Sequence, residues 1–452
     1  MSSQAVLGKP LPSPPRHGLL GGLRELQRNG LLPAYYGWWQ ELGDAFRIRI
    51  GPRWICMFAH PDHVRHIQVT AARRYIKGAG YARLRQLLGN GIIVSEDGTW
   101  RDGRRRMQPL FHRATVDGYV GAMSDCVAQT ASTWQQLAEQ GEPVDIHQQF
   151  LPLTMQIFTR CLLGSDLSQH SQQIGDVMKE SLDFIAHRTF SLLSLPLFVP
   201  LPSHRRFRAA IGSIQGMIAD AIDRQHSETS SDSPLLRALL ATDGTKPGLA
   251  AKQVQAEVLN IFFAGYETTS LALTWALYLL AEHPVVMEEV ANEANNVLGG
   301  ELPTVGQLEQ LQYTRAVFQE TIRLYPPAWI VARQTVEDDQ IAGFDVPRGT
   351  IVLNCPYITH RHPSYWDAPD AFRPERFVST KQPASHPFAY VPFGAGQRIC
   401  FGEHFAMTEA ILVLAMLCSH FRFERVDDGP VIPVGMGTLY PKDPLRLRLH
   451  RR

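Results

Sequence analysis

Apolar and polar residues alternate in two parts of the chain and follow a helical spacing between them. The segment FRIRIGPRWICMFA (46–59) alternates on both sides of Gly51 and Pro52, which predicts two strands joined by a turn. From about residue 60 to about residue 325 helical periodicity dominates, with one long helix predicted from about 251 to 282. Alternation returns in IVARQTVEDDQIAGFDVPRGTIVLNCPYITHR (330–361), which predicts a small sheet. We therefore expect a mainly α protein with a smaller β-rich lobe.

The chain shows no repeat and no clear break, so residues 1–452 are expected to form a single domain. Residues 1–20 read as a Pro-rich N-terminal arm. The polar segment SETSSDSP (227–234) is expected to be an exposed loop and not a domain linker.

Neither a transmembrane segment nor a nucleic-acid partner is expected. The most apolar runs, at 270–281 and 410–418, are shorter than the roughly 18 to 20 residues that cross a bilayer. The start of the chain lacks the basic and then apolar pattern of a secretory signal, which indicates a cytoplasmic protein. Lys and Arg number 44 against 43 Asp and Glu, so the net charge of +1 gives nucleic acid no general attraction.

One of the six cysteines, Cys400, lies in the glycine-rich stretch FGAGQRICFG (393–402). The irregular cysteine spacing argues against a disulfide scaffold or a structural zinc site, and a buried or incidental thiol is the simplest interpretation of the other five. Cys400 itself could be inert, a redox sensor, a nucleophile with His404 as its base, or a metal ligand. The ligand hypothesis explains more of its neighbours. Glycines allow the backbone to run flat against a planar group, a following helix N-terminus favours a thiolate, and Arg398 can meet an anion.

These features describe a thiolate presented to haem, and the stretch resembles the haem-binding loop of the cytochrome P450 family, F-x-x-G-x-R-x-C-x-G. The fixed positions are matched by Phe393, Gly396, Arg398, Cys400 and Gly402. The resemblance implies the fold of that family, a triangular prism with haem b between the long oxygen-binding helix and the helix after the cysteine. It also implies that Cys400 is the axial iron ligand, that Arg398 binds a propionate, and that the loop, with Phe393, Gly394 and Gly402, contacts the cofactor.

Further motifs of the family occur in the expected order. QETIR supplies Glu320 and Arg323 on one helix face, and FRPERF supplies Arg376; by themselves such pairs are ordinary surface pairs. In the family the three form a buried triad that braces the haem loop, so they are assigned a structural role. His360 lies in THRHPSYWDAPDAF, which is similar to the family's H-R-D-P-x-x-W-x-x-P-x-x-F segment with His362 in place of Asp.

FFAGYETTS (262–270) places Gly265 and adjacent threonines inside the long predicted helix, where they weaken it. Gly265 would open space beside the haem, and the Thr268 hydroxyl can bond the carbonyl of Ala264. The stretch resembles the family motif in which an acid and an alcohol supply protons during dioxygen reduction. Glu267 and Thr268 match these two positions, and Ala264 is expected to lie against the haem. The alternative is two polar residues on a buried helix with local partners.

Additional haem contacts are implied by TWRDGRRRMQPLFH (99–112), where Trp100 and Arg104 match a propionate-binding W-x-x-x-R, and by Arg333 in VARQT. An arginine cluster is otherwise most often a solvated face. Because Arg101, Arg105 and Arg106 concentrate positive charge in a nearly neutral chain, we expect an acidic redox partner to dock on the Cys400 side through them.

The resemblance implies a monooxygenase that inserts one oxygen atom of O2 into a substrate, with electrons from NAD(P)H. No nucleotide-binding glycine fingerprint follows a strand, so a separate ferredoxin or flavodoxin with its reductase is expected. The apolar segment 189–202 matches the family's lid and could also touch a membrane surface. A lipophilic small molecule such as a fatty acid, terpenoid or polyketide-like compound is expected, together with a monomeric enzyme. The candidate lining residues, each of which could equally be core, are Leu88, Phe262, Ile330, Val331 and Leu439.

Three other functions remain open at this stage. A haem-thiolate isomerase or dehydratase would need no external electrons, although such relatives tend to lose the acid–alcohol pair. A peroxide-driven hydroxylase would turn over with hydrogen peroxide alone. A non-catalytic haem sensor would form no oxygen-dependent product.

Overall fold

The computed structural model of the protein describes residues 9–14, 21–50, 53–164, 180, 181, 184, 199, 201–209, 211, 212, 216, 233–242, 247–378 and 384–452. Within these residues the α-helices are α1 (Gly21–Asn29), α2 (Leu31–Leu42), α3 (Pro61–Arg65), α4 (Leu84–Leu88), α5 (Asp97–Met107), α6 (Arg113–Asp117), α7 (Val120–Gln140), α8 (Ile146–Phe158), α9 (Pro234–Leu240), α10 (Ala251–Glu282), α11 (Pro284–Leu298), α12 (Val305–Gln310), α13 (Gln312–Leu324), α14 (Pro356–Thr359), α15 (Glu375–Val378) and α16 (Glu403–His420).

The strands lie near both ends of the chain and after α13, with one short strand between α7 and α8. They are β1 (Ala45–Ile50), β2 (Arg53–Phe58), β3 (Tyr75–Ile76), β4 (Val144–Asp145), β5 (Val331–Thr335), β6 (Asp339–Ile341), β7 (Phe344–Val346), β8 (Ile351–Asn354), β9 (Phe421–Arg425), β10 (Pro433–Gly435), β11 (Leu439–Pro441) and β12 (Arg446–Arg451). The main sheet has the order β1-β2-β8-β5-β3, and only β2 and β8 pair in parallel within it. Smaller sheets are β4-β12-β9, β10-β11 and β6-β7.

The helical body is built around α10 and α16, which are apolar on almost all sides and therefore buried. Helix α8 packs along α10, while α16 packs against α7 and α11. A separate core under the main sheet is formed by α2, β1 and β2 with Trp329 and Cys355. Helix α13, which carries the QETIR motif, packs into the helical core through Val317, Phe318 and Ile322.

The architecture agrees with the main sequence predictions. The hairpin is confirmed, with Ile50 opposite Arg53 in an antiparallel pair. The long helix has the predicted bounds, and the segment 330–361 forms β5 to β8 as far as Asn354, after which Pro356–Thr359 is the helix α14. The C-terminal strands β9 to β12 were not predicted. Strand β12 pairs with the distant β4, and β10 and β11 are three-residue strands that pair with each other.

The predicted loop 227–234 is wrong at its C-terminal end, and its residues 227–232 lie outside the described part of the chain. Ser233 is buried and caps α9, since its Oγ accepts from the Leu236 amide at 3.1 Å and donates to the Leu162 carbonyl at 3.0 Å. Pro234 is the first residue of the helix, the position that proline favours. The described part of the N-terminal arm, residues 9–14, is anchored to the β-rich lobe where the Arg47 amide donates to the Pro12 carbonyl at 2.9 Å.

Within the described residues, no single helix has both the length and the apolar composition needed to cross a membrane. Helices α10 and α11 meet that test only as a pair bent by 113°.

Candidate functional site

The loop that carries Cys400 is closed by main-chain hydrogen bonds. The Cys400 amide donates to the Phe393 carbonyl at 2.9 Å, and the Gly394 amide donates to the Val391 carbonyl at 3.0 Å. A short 3₁₀ turn, Gly396–Arg398, precedes the cysteine, and α16 begins three residues after it. The loop therefore presents the thiol from a fixed backbone just before a helix N-terminus.

The loop glycines serve the backbone itself, in addition to any planar ligand. Gly394 and Gly396 have φ angles of +74° and +67°, a region that favours glycine. A Cβ on Gly396 would lie 2.1 Å from the Gln68 carbonyl oxygen. The Gln68 side chain also accepts from the Ala395 amide at 2.9 Å, so this residue, which the sequence did not single out, holds the loop.

The surroundings of the thiol do not by themselves favour its ionised form. Burial raises the pKa of the Cys400 thiol and Glu403 raises it further, while the Gly402 amide and Arg104 lower it. Burial thus outweighs the lowering of the thiol pKa that was expected from the helix N-terminus. Cys400 nevertheless has accessible surface and lines a concavity. A thiol in this position is available to a ligand that supplies its own positive charge, such as iron.

Glu320, Arg323 and Arg376 meet in one buried cluster. Both oxygens of Glu320 accept from Arg323, at 2.6 and 2.8 Å, and Arg376 Nε donates to Glu320 at 3.2 Å. The Arg323 guanidinium also donates to the carbonyls of His360, Pro369 and Ala371. A buried ion pair with this many hydrogen bonds ties α13 to the segment before the Cys400 loop.

His360 continues this connection toward the loop. One ring nitrogen, Nε2, accepts from the Val391 amide at 2.9 Å, and Nδ1 lies 3.2 Å from the Arg323 carbonyl. The ring is therefore neutral with its proton on Nδ1. His362, the departure from the family pattern, pairs with Asp44 at 3.1 Å and packs edge-on against His60.

Two buried histidines are expected to make stability depend on pH. Burial lowers the pKa of His360 to about 3 and that of His63 to about 4, so both are neutral in the folded protein at pH 7. An unfolded histidine titrates near 6.5. Protonation of each histidine in the unfolded chain therefore lowers the free energy of unfolding as the pH falls below about 6.5. The loss reaches roughly 3 kcal/mol for each histidine at pH 4.

Burial raises the pKa values of Glu257 and Glu409, so these carboxyl groups change the free energy of unfolding with pH in the opposite direction. The contribution of His63 is therefore measured as the difference between a His63 variant and wild type. Denaturant unfolding of His63→Leu should show a pH dependence between 4.5 and 6 that is shallower than wild type by about 1.2 kcal/mol per pH unit. The exposed His420, changed to Gln, should follow wild type. Equal slopes for His63→Leu and wild type would contradict the assignment.

The acid–alcohol motif lies midway along α10. Thr268 Oγ1 donates to the Ala264 carbonyl at 2.6 Å, as the sequence predicts, and Thr269 Oγ1 donates to the Gly265 carbonyl at 3.0 Å. Thr438 Oγ1 lies 3.5 Å from Glu267 Oε1. The space beside Gly265 is taken by the Phe158 ring, whose Cδ2 would lie 2.6 Å from an added Cβ. The glycine therefore accommodates α8, and the prediction that it opens a groove needs this correction.

Several cations gather beside Trp100 with few acidic partners. Arg398 stacks 4.2 Å from the Trp100 ring and binds the Ser95 carbonyl and the Glu96 carboxylate. Burial lowers the pKa of Lys77 far below its usual value, and Arg333 and Arg398 lower it further, while Glu96 opposes them. Among the described residues, the Arg333 side chain donates a hydrogen bond only to the neighbouring carbonyl of residue 332. This uncompensated charge fits an anionic group such as the two propionates of haem.

The arginines of α5 differ in their environments. Arg104 donates to the Ile399 carbonyl at 2.8 Å and to Gln108 at 3.0 Å, so it braces the cysteine loop directly. Arg101 and Arg105 are exposed. Arg106 is buried and binds Asp102 and the carbonyls of residues 241 and 247, so its predicted contact with a redox partner is wrong.

A concavity of about 630 Å³ opens on the cysteine loop, and none of its lining residues belongs to α10. The charged and histidine side chains that line it are Arg104, Arg113, Arg315, His112, His404 and Glu403. A second concavity, of about 490 Å³, shares Arg113, Arg315 and His404 with the first. Asp117 and Glu309 also line the second concavity, and Glu309 pairs with Arg113. We call the two together the basic basin, because arginines outnumber carboxylates on the wall next to Cys400.

The candidate substrate-lining residues fall into different places. Leu88 and Leu439 have no accessible surface, so they pack as core and do not line an open cavity in this structure. Leu439 lies in the β-rich core, where its carbonyl accepts from Trp275 at 3.0 Å. Phe262 is buried against Phe158 and Tyr266. Ile330 and Val331 are half-buried, and the lid segment 189–202 lies mostly outside the described residues.

The structure adds site residues that the sequence did not single out, namely Gln68, Lys77, Arg85 and Glu96. Of these, only Lys77 and Arg85 left a trace in the sequence, as basic residues in a glycine-containing segment before Trp100. Among the described residues no group of three or more His, Cys, Asp or Glu side chains could hold a metal ion. One exposed thiol beside a surplus of cations fits haem, whose porphyrin would supply four further iron ligands, so the residues present fit a haem-thiolate site.

Comparisons with known proteins agree with this class. Residues 11–449 match the family model described as Cytochrome P450. Cyclooctatin synthase of Streptomyces melanosporofaciens is 31% identical over 422 residues, covering 92% of this chain and 89% of that protein. Pentalenene oxygenase of Streptomyces avermitilis is 31% identical over 415 residues, 91% of each chain.

Similarity in structure extends over nearly the whole chain. The crystal structure of the cytochrome P450DA heme domain matches with a TM-score of 0.90 at 25% identity, covering 99% of this chain and 98% of that one. The protein belongs to the cytochrome P450 family, and it is a cytochrome P450 monooxygenase.

Proposed function

We propose that the protein oxidises a terpenoid, inserting one atom of O2, with electrons delivered from NAD(P)H by a separate ferredoxin or flavodoxin and its reductase. The observation that carries the proposal is the exposed Cys400 thiol in the same molecule as the Glu267–Thr268 pair of α10. The substrate class is supported by relatives that are 31% identical and are named pentalenene oxygenase and cyclooctat-9-en-7-ol 5-monooxygenase. A single-domain, cytoplasmic monomer stays a prediction.

In this proposal Cys400 ligates haem iron, and the cations beside Trp100 hold the cofactor carboxylates. Arg398 and Arg333 are the direct partners, Arg104 fixes the loop, and Phe393, Gly394 and Gly402 form the surface next to the ring. Ala264 of α10 would also contact the haem. When bound, the haem supplies dioxygen activation, and its thiolate ligand favours cleavage of the O–O bond.

Thr268 and Glu267 have the proposed task of proton delivery. The Thr268 hydroxyl is held by the carbonyl of residue 264, so its oxygen is kept in one position on the α10 surface. Glu267 carries an acidic group one residue away. An alcohol that accepts a proton from a nearby acid and passes it on acts as a relay.

Thr268→Ala should therefore uncouple electron use from product formation. Reductant and O2 consumption should continue while the yield of product falls, on the order of a hundredfold for a lost acid–base group. The matched control is Thr269→Ala, which removes a similar hydroxyl bonded to the carbonyl of residue 265. Equal product yields from the two variants, measured per NAD(P)H consumed, would contradict the relay.

The basic basin is the proposed docking surface for an acidic electron donor. Three arginines and one carboxylate, Glu403, line the larger concavity, and Arg113 is ion-paired with Glu309 of the smaller one. Arg315 has no hydrogen-bonded or ion-paired partner for its guanidinium among the described residues, and burial together with Arg113 lowers its pKa. This revises the predicted surface, since Arg106 is buried and Arg315 takes its place.

Arg315→Glu should slow reduction by an acidic ferredoxin on the order of tenfold at low ionic strength. The difference from wild type should shrink as salt rises beyond about 0.15 M, where the Debye length is about 8 Å. Arg348→Glu, an exposed arginine that lines neither concavity, is the control. Stopped-flow reduction rates that are the same for all three proteins would exclude the basin.

The overall function is tested by product analysis with isotopic oxygen. A panel of cyclic terpenoids, fatty acids and polyketides is screened for a change in haem spin state, and compounds that respond are incubated with ferredoxin, reductase and ¹⁸O2. We expect a terpenoid product that carries one ¹⁸O atom. Turnover with hydrogen peroxide alone, or ¹⁸O-free product, would favour the peroxide-driven or the isomerase alternative.

A further inference from the structure

Side chains of α10 hold the segment that follows α4. The Ile92 amide donates to Glu257 Oε2 at 2.8 Å, and the Ile93 amide donates to Asn260 Oδ1 at 3.0 Å. Asn260 Nδ2 donates in turn to the Leu88 carbonyl at 2.7 Å. Glu257 and Asn260 are fully buried and lie one helical turn apart. We call residues 88–95 the strap.

The carbonyls of strap residues 93, 94 and 95 each accept a hydrogen bond from a different cation. Lys77 Nζ donates to the carbonyl of residue 93, Arg85 Nη2 to that of residue 94 at 2.6 Å, and Arg398 Nη1 to that of residue 95 at 2.9 Å. One face of the same short peptide thus bonds α10 through its amides. Its carbonyls position three cations of the candidate propionate site.

We propose that Glu257 and Asn260 are positioning residues that act through the strap to align Lys77, Arg85 and Arg398 as a cradle for the haem carboxylates. This inference rests on the haem-binding function proposed above, and it assigns the alignment of the cradle to two side chains of α10. Three backbone oxygens in consecutive positions fix the relative placement of the cations, which would otherwise repel one another. The strap thereby links the helix that carries Thr268 to the cofactor edge.

The chemistry of Glu257 supports a specific task and not mere filling of space. Burial raises its pKa to about 7, and only Gln253 and the Ile92 amide oppose the shift, while Asp102 adds to it. A buried carboxyl group without a cationic partner costs free energy that an apolar side chain would avoid. A Cβ on Gly91 would lie 2.3 Å from Asn260 Nδ2, so the strap backbone approaches α10 as closely as glycine allows.

The test uses the holoenzyme and the variants Glu257→Ala, Asn260→Ala and the double variant. Hydrogen exchange of the 88–96 peptide reports the strap, and the rate of haem transfer to excess apomyoglobin reports the cradle. We expect both to become about tenfold faster in each single variant, because a buried amide loses its acceptor. Glu257→Gln, which keeps an acceptor oxygen, should stay within about threefold of wild type. Thr274→Val is the control, since its buried hydroxyl bonds only the Ser270 carbonyl within α10.

Unchanged strap exchange in the double variant would overturn the inference, as would faster exchange with an unchanged rate of haem transfer. Faster strap exchange together with faster haem transfer in Thr274→Val would also overturn it, since the effect would then be general to α10. Asn260→Ala alone decides the question if Glu257→Ala fails to fold. A wild-type protein that takes up no haem defeats the proposed function and the cradle, whereas strap exchange still tests the contact with α10.

Discussion

Cys400→Ser is expected to abolish monooxygenase turnover and to remove the Soret band that marks a thiolate opposite carbon monoxide in the reduced protein. Serine keeps the main-chain bond from residue 400 to the Phe393 carbonyl, so the loop should keep its path. Its hydroxyl is a far weaker ligand for iron and a weaker electron donor than a thiolate. The change therefore removes the ligand chemistry while leaving the surrounding backbone in place.

The control for this variant is Cys355→Ser. Cys355 is buried in the β-rich core, where its thiol donates to the Trp329 carbonyl at 3.2 Å, a bond that a serine hydroxyl can reproduce. This variant should keep the thiolate band and most of the activity. A thiolate band that persists in Cys400→Ser would show that the ligand was assigned to the wrong residue.

Local motifs explain what the sequence could predict. The bounds of α10 follow from helical periodicity over 251–282, and the Thr268 bond to the carbonyl of residue 264 follows from helix geometry alone. The pairing of Glu320 with Arg323 is likewise an i, i+3 relation on one helix. Each of these depends on residues close together in the chain.

Interactions between distant segments explain what the sequence missed. Gln68 reaches the cysteine loop across 327 positions, and Asn260 reaches the strap across 167. Arg106 looked like part of an exposed basic cluster, yet Asp102 and carbonyls more than 130 positions away bury it. No periodicity in the sequence records such contacts, since each is decided by how the helices pack.

The buried triad gives the second large effect, a loss of stability in Glu320→Gln. Both carboxylate oxygens of Glu320 accept from Arg323, and one also accepts from Arg376 and from the Arg373 amide. Glutamine has nearly the same shape but leaves two guanidinium groups facing a neutral amide with no accessible surface around it. Breaking a buried ion pair by removing one partner costs roughly 3 to 5 kcal/mol, so we expect the free energy of unfolding to fall by about that amount.

The control is the same Glu-to-Gln substitution in an exposed ion pair, which measures what the substitution costs in stability outside the buried triad. Glu139 pairs with Arg451 at 2.9 Å with both side chains more than half exposed, and such pairs contribute about 0 to 1 kcal/mol. Urea unfolding followed by tryptophan fluorescence should therefore separate Glu320→Gln from Glu139→Gln by several kcal/mol. Haem content should fall in the first variant only, because Arg323 and His360 transmit the triad to the cysteine loop through the Val391 amide. If the two variants unfold at the same urea concentration, the triad does not brace the loop.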